Sequence, residues 1–104
     1  MTWAILILAG LIEIGWAIGL KYADGFSRLW PSVFTVGAMV LSLYMLAFAS
    51  RTLPIGTAYA VWVGIGAAGT AILGMILFDE SRDLSRIACV ALIIAGVIGL
   101  KVAE

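Results

Sequence analysis

Hydrophobic residues are grouped along the chain into long apolar runs that short polar segments separate. The run 3–20 is apolar apart from Glu13, and the runs 29–49 and 54–78 contain no charged residue. A helix that crosses a bilayer needs about 20 predominantly apolar residues. The pattern therefore predicts a membrane-spanning helix over each of these runs.

A further apolar run, Ile87–Leu100, is shorter than a full span. Arg86 and Lys101 flank it, and their long side chains can extend from within the membrane to its surface. We therefore predict another helix over 84–102. The connecting segments are too short to hold an extramembrane domain, so we expect residues 1–104 to form one all-α integral membrane domain of four transmembrane helices.

The composition favours the bilayer as the solvent. Of the 104 residues, 64% are hydrophobic and only 12% are charged, and a soluble domain of this size cannot bury so much apolar surface. The net charge is zero and the basic residues are scattered, which excludes a nucleic-acid-binding surface. The chain has no histidine and a single cysteine, Cys89, so imidazole catalysis and multi-cysteine metal sites are unavailable. We expect neither an enzyme nor a bound cofactor or metal.

Basic residues are almost evenly divided between the two predicted faces of the membrane. One face has Arg51, Lys101 and the terminal amine; the first and third loops share the other face and carry Lys21, Arg28, Arg82 and Arg86. Short loops direct insertion through their basic residues, so this small difference gives little orientational preference. We predict insertion in both orientations and pairing of two copies as an antiparallel homodimer, which would supply the inverted repeat of larger transporters.

Glu13 is the one charged residue that lies well inside a predicted span. Placing an ionised side chain there costs at least about 2.5 kcal/mol. No lysine or arginine occurs at the same predicted depth to form an ion pair with it. We therefore predict that Glu13 binds protons and a cation alternately.

Several side chains are candidates for the surroundings of Glu13. Gly10 and Trp16 share its helix face; the glycine leaves room for a ligand, and the indole can donate to the carboxylate or offer its face to a cation. Tyr59 and Trp62 share a face of the third span. Aromatic rings around a carboxylate suit a desolvated cation, although the same rings can simply fill the bundle.

Small and polar residues complete the candidate set. Ser42 in the second span either bonds a neighbouring helix or reaches Glu13. Gly64 and Gly66 lie in a glycine-dense stretch that predicts close helix packing or a hinge, and no Lys-Ser/Thr pair follows them as in a phosphate-binding loop. Gly96 lies on a small-residue surface of the fourth span that we predict to form a dimer contact.

Four segments also carry a family resemblance: AGLIE at 9–13, LKYADGFSR at 20–28, PIGTAYAVW at 54–62 and GIG at 64–66. With them the sequence resembles the small multidrug resistance family over essentially its whole length. Trp16 and the Gly-Leu-Lys that ends at Lys101 are similar to the guanidinium-exporter subtype, whereas the multidrug subtype usually has glycine in place of Trp16. Cys89 departs from the glycine that relatives often have there.

The resemblance implies a proton-coupled antiporter of bacterial inner membranes, a multi-pass protein that works by alternating access as an antiparallel, dual-topology homodimer. By this resemblance Glu13 carries both guanidinium and the proton, Trp16 and Ser42 hydrogen-bond its carboxylate, and Tyr59 and Trp62 line the site. Burial and the repulsion between two such carboxylates would favour the protonated form, so that protons displace the cation.

Three alternatives stay open at this point. A broad-specificity exporter of quaternary ammonium compounds would use the same glutamate, although Trp16 argues against it. A noncatalytic subunit of a heterodimeric transporter is the second, and the balanced loops favour self-pairing instead. A passive cation channel is the third, and it would show no coupling to a pH gradient.

Overall fold

A computed structural model of the chain describes residues 2–103. Within this range the chain forms four α-helices, each of 20 to 23 residues and apolar enough to cross a membrane. They are α1 (Thr2–Ala23), α2 (Leu29–Ala49), α3 (Ile55–Leu77) and α4 (Leu84–Ala103). The expected all-α chain with four candidate membrane-spanning helices is confirmed.

Helix α1 is longer than the apolar run that predicted it. We expected it to end at residue 20, but the helix continues to Ala23 and includes Lys21 and Tyr22. Both side chains contact the ring of Phe78, with the Lys21 amine 5.6 Å and the Tyr22 ring 5.4 Å from its centroid. The hydropathy pattern ended too early because helical hydrogen bonds continue through polar residues when their side chains have partners near the membrane surface.

The turn after α1 uses left-handed backbone conformations. Asp24, Gly25 and Phe26 have φ values of 50°, 71° and 67°, and the amides of Ser27 and Arg28 both donate to the Ala23 carbonyl. In this compact turn, amides of the loop therefore supply hydrogen bonds to the carbonyl at the end of α1. It brings the start of α2 back against α1.

Contacts near the ends of the helices define the two ends of the bundle. At one end, the Lys101 amine lies 4.9 Å from the Trp3 ring and the Thr52 hydroxyl donates to Thr2 at 3.0 Å. At the other end, the ring of Tyr22 in α1 packs against Phe78 after α3 in a tilted arrangement. The first and third loops therefore share one end, which we call the loop 1/3 end.

The core lies between α1, α2 and α3, whereas α4 packs on α3. The largest group of buried residues consists of Leu6, Ala9, Leu46, Ala49, Ala58, Val61 and Trp62. Of the described α4 residues, only Val90 is buried. Apolar side chains that face lipid need no burial in protein, so α4 presents most of its surface to the bilayer or to a second protein.

Candidate functional site

The Glu13 carboxylate packs against the backbone of α3 at Gly66. A Cβ atom at position 66 would overlap both the carboxyl carbon and Oε1 of Glu13. The absence of a side chain at Gly66 therefore creates the space that the carboxylate occupies. This contact between α1 and α3 is the centre of the candidate site.

Within the described part of the chain, Glu13 has no basic partner. Its Oε1 is buried and makes no hydrogen bond, and the one ion pair among residues 2–103 joins Arg86 to Glu80 near the surface. A buried polar oxygen without a partner is costly and uncommon. This oxygen therefore has an unused capacity to accept a hydrogen bond.

Ser42 joins three helices by two hydrogen bonds. Its hydroxyl is fully buried, donates to the Ala9 carbonyl at 2.7 Å and accepts from the Trp62 indole at 2.9 Å. Of the two alternatives left open by the sequence, the bond to a neighbouring helix is the one present here. The Ala9 carbonyl lies one turn before Glu13 and also accepts its backbone N–H within the helix, so Ser42 acts on the segment that carries the carboxylate.

The three candidate aromatic rings have different environments. Trp62 is buried with its indole bonded to Ser42, whereas Tyr59 beside it is 55% exposed and lies 5.8 Å away, ring centroid to ring centroid. Trp16 is half-buried and its indole nitrogen is buried without a hydrogen-bond partner. The hydrogen bonds to Glu13 that the resemblance implied for Trp16 and Ser42 are thus not made in the single chain.

The candidate glycines fall into two groups. Gly10 packs on Ile65 and Gly64 on Val97, so both allow α3 to approach a neighbouring helix. The Ile65 side chain of α3 therefore fills the space beside Gly10, and Gly10 does not border an open space. A Cβ at Gly96 would meet no atom within 4 Å, which leaves this part of α4 unpartnered in the single chain.

The structure also contains a cavity that the sequence analysis missed. It has a volume of about 560 Å³ and lies between α1 and α3 at the loop 1/3 end, where Thr70, Glu80 and Arg86 contribute to its wall. One feature of the sequence could have pointed to this cavity: Thr70 is a polar residue in the third span. Glu80 did not stand out in the sequence, because it follows another acidic residue in a loop that carries several charges.

Comparison with known proteins places this geometry in context. The family described as Small Multidrug Resistance protein matches residues 1–93. The chain is 61% identical over 104 residues, the full length of both proteins, to a guanidinium exporter of Yersinia pseudotuberculosis serotype I (strain IP32953). It is 59% identical over 101 residues, 97% of this chain and 96% of the relative, to a guanidinium exporter of Escherichia coli (strain K12). With a family match over most of its length and full-length relatives at this level of identity, the chain belongs to the small multidrug resistance family.

Proposed function

We propose that this protein exports guanidinium across a bacterial inner membrane in exchange for protons. The observation that carries the proposal is the buried, unpartnered carboxylate oxygen of Glu13 within a helix able to span the membrane. The full-length relatives that are named guanidinium exporters, all of them bacterial, support this choice of cargo.

The chemistry of guanidinium suits a carboxylate beside aromatic rings. Guanidinium is planar, its N–H groups pair with both oxygens of a carboxylate, and its faces can lie on a ring. Glu13 supplies the carboxylate, and Trp16, Tyr59 and Trp62 are the candidate rings. A quaternary ammonium ion has no N–H donor and would depend on apolar and cation–π contacts alone.

Exchange follows from competition for one group. Without water to solvate it, the Glu13 carboxylate is stable either as the neutral acid or paired with a cation. A proton and guanidinium therefore exclude each other from the same oxygens. If the site opens to one face at a time, each arriving proton releases a cation and each arriving cation releases a proton.

The proposal includes an antiparallel homodimer with dual topology. The nearly balanced loops, the open surface at Gly96 and Gly99, and the half-exposed ring of Tyr59 all favour a second copy that completes the site. Two Glu13 carboxylates would then face a shared space. Exchange of conformations between two equivalent halves turns an inward-facing state into an outward-facing one without a net change in energy, which is alternating access.

Proton-driven uptake into liposomes tests the proposed function. The purified protein is reconstituted, a pH gradient is applied, and the uptake of guanidinium is compared with that of a tetraalkylammonium ion. We expect gradient-dependent uptake of guanidinium, its loss in Glu13→Gln, and normal uptake in the control variant Asp83→Asn, which removes an exposed loop carboxylate.

Three outcomes would contradict the proposal. Coupled uptake by Glu13→Gln would remove Glu13 from the mechanism. A clear preference for the tetraalkylammonium ion would indicate the broad-specificity exporter, and uptake that ignores the pH gradient would indicate a passive channel.

A further inference from the structure

The inner wall of the cavity at the loop 1/3 end lies near the Glu13 carboxylate, which is not itself part of the lining. Its wall includes Ala17 of α1 and Thr70 of α3. Ala17 lies one helical turn after Glu13, and Thr70 lies one turn after Gly66, on which the carboxylate packs. The inner end of the cavity is therefore separated from the carboxylate by about one helical turn, roughly 5 Å.

Glu80 lines this cavity and is held against α3, while part of its side chain stays exposed. Its carboxylate packs on Gly74, where a Cβ would overlap it, and its backbone N–H donates to the Gly74 carbonyl at 3.2 Å. The preceding residue, Asp79, has a left-handed φ of 53° that turns the chain back over α3. A glycine and a tight turn thus position a carboxylate at the entrance, as Gly66 accommodates Glu13 deeper in the bundle.

The group that pairs with the Glu80 carboxylate is itself a guanidinium, that of Arg86. The Arg86 side chain donates to Glu80 Oε1 at 2.8 Å, and the two side chains are 36% and 40% exposed. Ion pairs this accessible to solvent contribute little to stability. A free guanidinium has the same donors as the Arg86 side chain, so it can replace Arg86 while Arg86 moves into water.

Two further groups suit a cation in this cavity. The Phe78 ring already holds the Lys21 amine 5.6 Å from its centroid, and Lys21 also lines the cavity, so a guanidinium that reaches this ring displaces Lys21. Deeper inside, the Thr70 hydroxyl oxygen is buried and has no hydrogen-bond partner, so it can accept from an N–H group. The cavity therefore combines a carboxylate, a ring face and a free acceptor along one wall.

We propose that this cavity is a second, weaker guanidinium-binding site through which the cation passes between the loop 1/3 end and Glu13. Glu80 is its carboxylate, Phe78 its ring and Thr70 its inner acceptor. Arg86 at Glu80 and Lys21 at Phe78 are competitors tethered to the chain. The inference rests on the proposed function for its cargo. Tetraalkylammonium ions lack the N–H groups needed to replace Arg86 at Glu80, so the site adds selectivity for guanidinium at the entrance.

Binding measured by NMR tests this site without relying on transport. Full-length protein in lipid nanodiscs is titrated with millimolar guanidinium chloride at constant ionic strength, and the amide signals of Glu80 and Gly74 are followed. We expect these signals to titrate in the wild type and also in Glu13→Gln, where the deep site is removed. In Glu80→Gln the midpoint should rise about tenfold or more, since a charge-assisted pairing is lost.

Two further variants make the test specific. Arg86→Gln should titrate at a lower guanidinium concentration than the wild type, because the tethered competitor at Glu80 is gone. Asp79→Asn is the matched control: it removes the neighbouring carboxylate, keeps a residue that tolerates a positive φ, and should titrate as the wild type does.

The inference is overturned if the Glu80 signals stop responding in Glu13→Gln, if Glu80→Gln titrates like the wild type, or if Arg86→Gln binds no more tightly. An equal response to tetramethylammonium would also overturn it. Each of these results leaves the proposed function intact, whereas failure of the proposed function appears separately as an absence of gradient-driven uptake by the wild type.

Discussion

The carboxylate of Glu13 lies against the backbone of Gly66, so the position of this carboxylate depends on a missing side chain in the facing helix. The atoms in contact form the end of a flexible side chain, whereas Gly66 belongs to a packed helix. A larger residue at 66 would therefore displace the carboxylate before it displaced α3. Substitution of Gly66 therefore tests whether the Glu13 carboxylate must lie at this position.

Gly66→Ala should reduce guanidinium exchange about ten- to a hundredfold, as a displacement of about 1 Å in a reacting group typically does. The protein should still fold, because alanine is the better helix former. Gly56→Ala in the same helix is the matched control, since a Cβ there meets no atom within 4 Å. Uptake in liposomes and yield after size-exclusion chromatography measure the two effects. Normal exchange by Gly66→Ala would show that the carboxylate position seen here is not the functional one.

Ser42→Ala should destabilise the protein by about 1–3 kcal/mol, because it removes the bond to Ala9 and leaves the buried Trp62 indole without an acceptor. Thermal unfolding in detergent measures the loss. Ser50→Ala is the control, since that hydroxyl bonds a carbonyl of its own helix turn at an exposed position. The double variant Ser42→Ala with Trp62→Phe should be less destabilised than the sum of the single changes; strict additivity would mean that the two groups do not interact.

Guanidinium binding should weaken as the pH falls. In the proposed mechanism a proton and the cation compete for the same Glu13 carboxylate, so lowering the pH should fill the site with protons and raise the apparent Kd. In the acidic range the slope approaches about tenfold per pH unit for one proton displaced per cation. Calorimetric titration of the wild type over a pH series measures this, with Glu13→Asp as a variant that should keep a pH dependence. A Kd that does not change with pH would exclude competition at one carboxylate.

Insertion in both orientations should respond to single loop charges. A C-terminal tag should be accessible on both faces of the membrane in the wild type, because the basic residues of the two sides nearly balance. Arg51→Ala should direct the loop 1/3 end to the cytoplasm, and Arg28→Ala with Arg82→Ala should direct it outward. Each variant alone should be one-sided and weakly active, and coexpression should restore guanidinium export. One-sided labelling of the wild type would contradict dual topology.

The hydropathy pattern predicted four helices able to cross a membrane and showed Glu13 isolated among apolar residues. A sequence can predict these features because a membrane-spanning helix depends on one continuous segment of the chain. Its backbone groups must form hydrogen bonds within that segment, and the segment must be apolar over the thickness of the membrane. The pairing of the first and third loops at one end follows from the number of spans. The contact of Tyr22 with Phe78 agrees with it.

Which side chains meet depends on how the helices pack against one another. Helical periodicity gives the face of each residue, but the neighbour depends on how small residues let helices approach, and hydrophobicity carries no such information inside a membrane. For this reason the sequence left two partners open for Ser42 and did not reveal that Gly66 receives Glu13. Glu80 was overlooked for a related cause: its position over the cavity depends on a glycine one turn inside α3 and on a left-handed residue in the loop.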